Sequence, residues 1–228
     1  MSSFRVSIFR SSAPALAVFL AALFCGCDPM QSTVVETGFQ PRPEAKAGAS
    51  RLKADRPVWK IGYQWQYAWK EASSSGTITK EIIREEVFGG FPAFVLRRAD
   101  SEDFYAKDVL GLLGTRIGDR VTTRRNAPYQ TLLWPLEVGK DWNNSYVIER
   151  LEQKSSESLD NRIVVTKLET VDVPAGSFEA FKIEVYSNRA GNLLAEYWYA
   201  PKVKWFAKTR GYGRDGVREE ELQSFKVD

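Results

Sequence analysis

Trp59-Lys60-Ile61-Gly62-Tyr63-Gln64-Trp65-Gln66-Tyr67-Ala68-Trp69-Lys70 is the most strongly patterned stretch of the chain. Large apolar side chains occupy the odd positions from Trp59 to Trp69, while Lys60, Gln64, Gln66 and Lys70 occupy even ones. The period is two. On a helix, alternate residues step by about 200° and scatter around the axis, whereas on a strand they line one face and leave the polar set on the other. The segment therefore predicts a strand with an aromatic face, built from the residue types that favour a pleated, half-buried surface.

Working outward, weaker alternation recurs at Phe181, Ile183 and Val185, interleaved with Lys182 and Glu184, and again around Tyr197-Trp198-Tyr199. Turn-forming residues separate such segments: Ser75-Gly76, Gly89-Gly90, Asn143-Asn144, Pro174-Ala175-Gly176, Gly191-Asn192 and Asp215-Gly216. Beyond the N-terminal leader only 217–226 carries a weak helical period. The expectation is an all-β domain: a curved antiparallel sheet or half-barrel of about ten to twelve strands, with the last segment a strand or one short helix. The strands are placed at 58–71, 77–88, 92–99, 103–108, 112–123, 129–136, 145–153, 161–173, 178–188, 193–200, 203–211 and 217–226.

All seven tryptophans lie beyond Pro57, so the folded domain is placed at 57–228. Residues 27–56 carry Pro29, Pro41, Pro43, Gly38 and Gly48 among alternating charges and few large apolar side chains. Such a segment buries too little surface to order itself and reads as a flexible tether, with a span on the order of 30 Å.

Residues 1–26 read as a secretory leader. Arg5 and Arg10 are followed by an uncharged, largely apolar run to Gly26, and the 17 uncharged residues between Arg10 and Asp28 are fewer than a spanning helix needs. The run ends in Leu23-Phe24-Cys25-Gly26-Cys27, which resembles a bacterial lipobox: a small residue, Gly26, precedes the cysteine to be acylated, Cys27. Phe24 stands where that pattern usually has Leu. The implied localisation is the bacterial envelope, lipid-anchored through Cys27 and facing the periplasm. Asp28 resembles an inner-membrane retention signal of enterobacteria, and the choice of membrane stays open. A multiply acylated cysteine meets the need for more than one chain in stable anchoring.

Losing the leader removes two arginines and no acid, which takes the formal charge from +3 to +1. No global field for nucleic acid remains, and the doublets Arg97-Arg98 and Arg124-Arg125 read as strand ends or turns. Histidine is absent and both cysteines, Cys25 and Cys27, sit at the leader, so His-based catalysis, thiol nucleophiles and His or Cys metal sites are excluded from the domain. No catalytic residue, metal site or cofactor is assigned. Gly211-Tyr212-Gly213-Arg214-Asp215-Gly216 has dinucleotide-loop spacing but no βαβ context. Glu85-Glu86, Glu102-Asp103 and Glu219-Glu220-Glu221 read as solvated edges, with Glu219 and Glu221 alone sharing a face.

Val173-Pro174-Ala175-Gly176-Ser177-Phe178-Glu179-Ala180-Phe181, then Glu196-Tyr197-Trp198-Tyr199-Ala200-Pro201 and Val203-Lys204-Trp205, preceded by Leu136-Glu137-Val138-Gly139-Lys140-Asp141-Trp142, resemble the signature of the TapB-like bacterial envelope lipoproteins, over roughly 60–228. That resemblance implies a half-barrel and no activity or catalytic residue. The functional expectation is a non-catalytic, membrane-anchored lipoprotein that binds an apolar ligand or an envelope partner on its curved sheet, with Tyr63, Trp65, Tyr67 and Trp69 facing the ligand. The competing readings are a core role for those rings within a purely structural or assembly component, and a carboxylate-based hydrolase.

Overall fold

The computed structural model describes residues 53–213 and 216–228. The expected leader, Gly26, Cys27 and the part of the expected tether up to residue 52 lie outside the described residues. In chain order the strands are β1 (Lys53–Ala54), β2 (Gln64–Glu71), β3 (Ser74–Phe88), β4 (Phe91–Arg98), β5 (Ser101–Ala106), β6 (Leu112–Ile117), β7 (Arg120–Tyr129), β8 (Leu136–Glu137), β9 (Asp141–Arg150), β10 (Ser155–Val173), β11 (Gly176–Ser187), β12 (Leu193–Ala200), β13 (Trp205–Gly213) and β14 (Gly216–Lys226). A 3-10 turn at Pro201–Val203 joins β12 to β13. No α-helix occurs among the described residues.

All but β1 and β8 pair antiparallel in one closed barrel, β10-β11-β12-β13-β14-β2-β3-β4-β5-β6-β7-β9 and back to β10, with β1 and β8 forming a separate two-stranded pair. The fold class is the one expected, all-β with a curved antiparallel sheet. The curvature runs to completion: β14 pairs with β2 from Arg218↔Glu71 to Lys226↔Gln64, and β7 meets β9 through Thr123↔Arg150 to Arg125↔Ile148. Closure leaves no long unpaired strand edge, the feature through which open sheets aggregate.

Several boundaries differ from expectation for local reasons. The strand expected over 58–71 begins only at Gln64, because Gly62 at φ +91° and a Tyr63 N–H donated to the Lys60 carbonyl turn the chain first. The alternation breaks there, and Ile61 is 59% exposed although Trp59 is buried. The single strand expected at 112–123 is the hairpin β6–β7, turned at Gly118 with φ +55°. Residues 130–135 form no strand, and 217–226 falls within a strand, not a helix. Lys53 and Ala54, placed in the tether, pair with Glu137 and Leu136, and Ala54 is buried.

The interior is divided. A large cluster gathers Trp59, Trp65, Tyr67, Trp205, Phe206 and the inward side chains of β10–β12, and a smaller one gathers Phe88, Ala93, Val95, Phe104, Ala106 and Leu113. Phe94 and Leu96 belong to the first and Ala93 and Val95 to the second, so β4 is buried on both faces, which is why Phe94-Val95-Leu96 is continuously apolar. Gly114 lets the second cluster close: a Cβ there would stand 2.5 Å from the Thr123 carbonyl oxygen and 2.7 Å from the Phe88 ring.

Candidate functional site

Of the four rings expected to face a ligand, Tyr63, Trp65 and Tyr67 are buried and Trp69 is half-buried. Each buried polar edge is used inside the protein. Trp65 Nε1–H donates to the Val203 carbonyl at 2.8 Å, the Tyr67 hydroxyl to the Phe206 carbonyl at 2.7 Å and the Tyr63 hydroxyl to the Asp228 carbonyl at 2.9 Å. Trp59 joins them, its ring 4.7 Å from that of Trp205 and its Nε1–H bonded to the Lys204 carbonyl at 3.2 Å. These rings pack one end of the barrel as covered core. Trp69 lies higher on the same face, under the Arg218 guanidinium at 4.5 Å.

Above this packed end the barrel changes character. A cavity of about 230 Å³ is walled on one side by Lys80 of β3, Arg98 of β4 and Asp103 and Tyr105 of β5, and on the other by Tyr197 of β12, Thr209 of β13 and Arg218 and Glu220 of β14. Trp205, Phe206 and Leu96 also line it. It shares Ala195, Tyr197, Gly211 and Arg218 with a broader depression of about 390 Å³ that reaches Glu71, Leu194, Gly213 and Gly216. Strand parity explains the lining. In β14, Arg218 and Glu220 share the face of Leu222 and pair with Glu71 and Trp69 of β2. In β3, Lys80 lies between Ile78 and Ile82 on the inward face.

Most of the charged groups in the lumen are paired. Lys80 Nζ lies 2.6 Å from Glu220, Arg218 lies 3.2 Å from Glu220 and 3.1 Å from Glu71, and Arg98 Nε lies 3.2 Å from Asp103. Burial opposes ionisation of Glu220, but Lys80 and Arg218 outweigh it and hold the carboxyl below its ordinary value. Burial raises the Tyr105 and Tyr197 phenols, so both are neutral hydroxyl donors at physiological pH. Sequence reasoning passed over this lumen. The available signal was charge at inward parity, in Lys80 between Ile78 and Ile82 and in Glu220 two residues before Leu222.

The acidic triplet at 219–221 is not a solvated edge, since Glu219 and Glu220 are both buried. Glu219 and Glu221 do share a face, the outer one. There Glu219 accepts from Lys70 at 2.9 Å and Arg210 at 2.5 Å, Glu221 meets Lys208 at 2.6 Å, and Glu196 binds Lys182 at 2.6 Å. Trp198 lies beneath this lattice, with Lys182, Lys208 and Arg210 within 6 Å of its ring and its Nε1–H bonded to Glu169 at 2.8 Å. An outer face of this kind is the opposite of the apolar band that a membrane-spanning barrel turns to lipid. No helix among the described residues is long and apolar enough to cross a membrane.

The lattice makes the barrel acid-sensitive. Burial alone would raise the Glu219 carboxyl, but hydrogen bonds from Lys70 and Arg210 and the charge of Lys208 take it down to about 2. On the far side, the hydrogen bond from Arg84, against partial burial and with help from Arg116, takes Glu102 to about 2. A carboxyl depressed by folding binds its proton more readily in the unfolded chain, so its contribution is full above its unfolded value, 4.5, and is lost as pH falls through about 2. The melting temperature is expected to fall between about pH 5 and pH 2. Glu219→Gln should lower it at neutral pH and flatten that acid limb, and an unchanged acid limb would show that Glu219 contributes nothing to it.

Fold and site together define a closed antiparallel barrel with one packed end and a charged lumen. No protein-family model matches the sequence, and no curated protein matches it. Solved structures to which the chain is similar include one described as a lipoprotein of Parabacteroides distasonis, at TM-score 0.40 and 10% identity, covering 77% of this chain and 100% of that one. Another is described as an exported protein of YmcC-like fold from Bacteroides fragilis, at TM-score 0.40 and 13% identity with the same coverage. The hypothetical lipoprotein YmcC of Escherichia coli is similar at TM-score 0.38 and 12% identity, covering 73% of this chain and 85% of that one. The TapB-like name does not recur among them. These similarities are distant and assign no role to any residue of this chain.

Proposed function

We propose that the protein is an envelope lipoprotein, held to a membrane by acylated Cys27, whose barrel binds a small molecule in its lumen without transforming it. The observation that carries the binding half is the cavity walled by Lys80, Arg98, Asp103 and Glu220. Ion pairs taken out of water gain little stability over apolar residues of the same volume, so a barrel that served only as a scaffold has no physical need of them. The cavity also replaces the aromatic face of β2 as the place of binding, since three of the four rings expected to face a ligand are buried. A non-catalytic role is favoured by the pairing of Glu220 with Lys80 and Arg218, which holds its carboxyl below the ordinary value, and by the absence of histidine, since a general acid or base works best with a pKa near the ambient pH.

The anchor half rests on the leader and on Gly26-Cys27. Labelling with a fatty-acid analogue should mark the wild type and not Cys27→Ala, and equal labelling of both would remove the anchor assignment. For the lumen, Gly211 offers a clean block. It lines both cavities, and a Cβ there would meet nothing within 4 Å. Native mass spectrometry of the full chain, gently purified from its host, should show a retained small molecule that Gly211→Phe lacks. Identical spectra would refute the lumen as the binding place.

A further inference from the structure

We infer that the lumen takes a neutral, polyhydroxylated ring of monosaccharide size, held through the unused hydroxyls of Tyr105, Tyr197 and Thr209; this deepens the reading of the lumen as the binding place and rests on it. The charge count sets the sign of the ligand at zero. Lys80, Arg98 and Arg218 line the cavity, and Asp103, Glu220 and, at the rim, Glu71 answer them one for one. An anion or a cation would enter without a counter-charge, and a zwitterion would have to part pairs already closed at 2.6 to 3.2 Å. A neutral ligand leaves every pair intact.

What the wall still offers is mostly hydroxyl. Tyr105 of β5, Tyr197 of β12 and Thr209 of β13 line the cavity, and none of their hydroxyls makes a hydrogen bond among the described residues. Nor are these oxygens sealed in: the fully buried side-chain atoms without a partner belong to Thr123, Arg125 and Trp134 alone among the described residues. The register sets two of them in a row, since Tyr197 pairs with Thr209 and Thr209 with Glu220, cross-strand neighbours on one face. Tyr105 stands on the opposite wall, two residues from Asp103 and on its face. Each hydroxyl both donates and accepts, as the hydroxyls of a sugar do, and Arg98 adds the N–H groups that its single bond to Asp103 leaves over. A wholly apolar ligand would leave all of these unpaired in a dry lumen, at a cost for each. Leu96, Trp205 and Phe206 form an apolar floor for the C–H face of a ring. At about 230 Å³ the cavity falls below the roughly 300–1,000 Å³ of sites for drug-sized ligands, which suits one ring.

The test uses the full chain in mild detergent, titrated calorimetrically with glucose, galactose, mannose and N-acetylglucosamine, and with glucuronate and cyclohexanol as controls of the same ring size. At least one neutral sugar should bind about tenfold more tightly than either control, because a site built to hydrogen-bond hydroxyls rejects an analogue that lacks them and balanced pairs reject an added charge. Tyr105→Phe and Tyr197→Phe should each weaken that sugar about tenfold and leave the ligand-free melting temperature unchanged, since each keeps its ring and removes a hydroxyl that bonds to nothing in the protein. Lowered melting temperatures with unchanged sugar affinity would make the hydroxyls structural and overturn the assignment. Glucuronate binding as tightly as the best neutral sugar would overturn the neutral ligand, and cyclohexanol doing so would overturn recognition through hydroxyls; either result would keep the lumen. If no probe binds, the sugar inference fails, and the comparison with Gly211→Phe decides separately whether the lumen reading fails with it.

Discussion

Trp65→Ala is expected to destabilise the barrel by about 3–5 kcal/mol, the range for truncating a large aromatic side chain in a closed core. The Trp65 side chain is fully buried, with ring centroids of Trp59, Trp205 and Tyr63 at 5.8, 6.2 and 6.3 Å. Its loss opens a void among rings of which Trp59 and Tyr63 are themselves tied to backbone carbonyls and so cannot easily collapse into it. It also strands the Val203 carbonyl, the acceptor of its Nε1–H. Trp69→Ala should cost much less, because Trp69 is half-buried beneath Arg218 and solvent can fill the vacated space. Urea denaturation of both variants provides the comparison. A loss at Trp65 no larger than that at Trp69 would mean that the packed end is open in solution, contrary to its covered geometry.

Glu220→Leu is expected to cost about 3 kcal/mol, the low end of the range for breaking a buried ion pair by removing one partner. Lys80 and Glu220 are 14% and 11% exposed at their side chains, and Lys80 also lies 4.6 Å from the Tyr67 ring centroid, so the ammonium left behind has little water to turn to. Arg218 suffers less because Glu71 remains to it at 3.1 Å. Replacing both partners, as Lys80→Met with Glu220→Leu, should restore most of the loss. Denaturation of the wild type, the two single variants and the double variant gives the coupling directly. A single-variant loss below about 1 kcal/mol would mean that the pair is as solvated as a surface salt bridge.

These two residues mark how far periodicity carries. The alternation from Tyr63 to Trp69 made β2 legible, and turn residues placed most hairpins, because both signals depend on chain neighbours. The failures share a cause. Trp59 and Ile61 continue the odd-number pattern, yet Gly62 turns the chain so that one is buried and the other is exposed. In 112–123 the turn at Gly118-Asp119 is set closely between Ile117 and Val121, so the apolar residues on its two sides read as one strand. Lys53 and Ala54 look like tether because their strand partners, Glu137 and Leu136, are more than eighty residues away.

The sequence by itself determined the all-β class, the aromatic strand and the lack of any histidine or domain thiol, since composition and local alternation are complete within a few residues. Whether the sheet stays open or closes was decided only in three dimensions, by the pairing of β14 with β2 and of β7 and β10 with β9. Closure turned the expected ligand face into core, and it gathered Lys80, Arg98, Asp103 and Glu220 from β3, β4, β5 and β14 into one lumen. The physical reason is that an individual strand specifies which side chains share a face. What that face meets, solvent, core or cavity, depends on how far the whole sheet coils before its ends find each other.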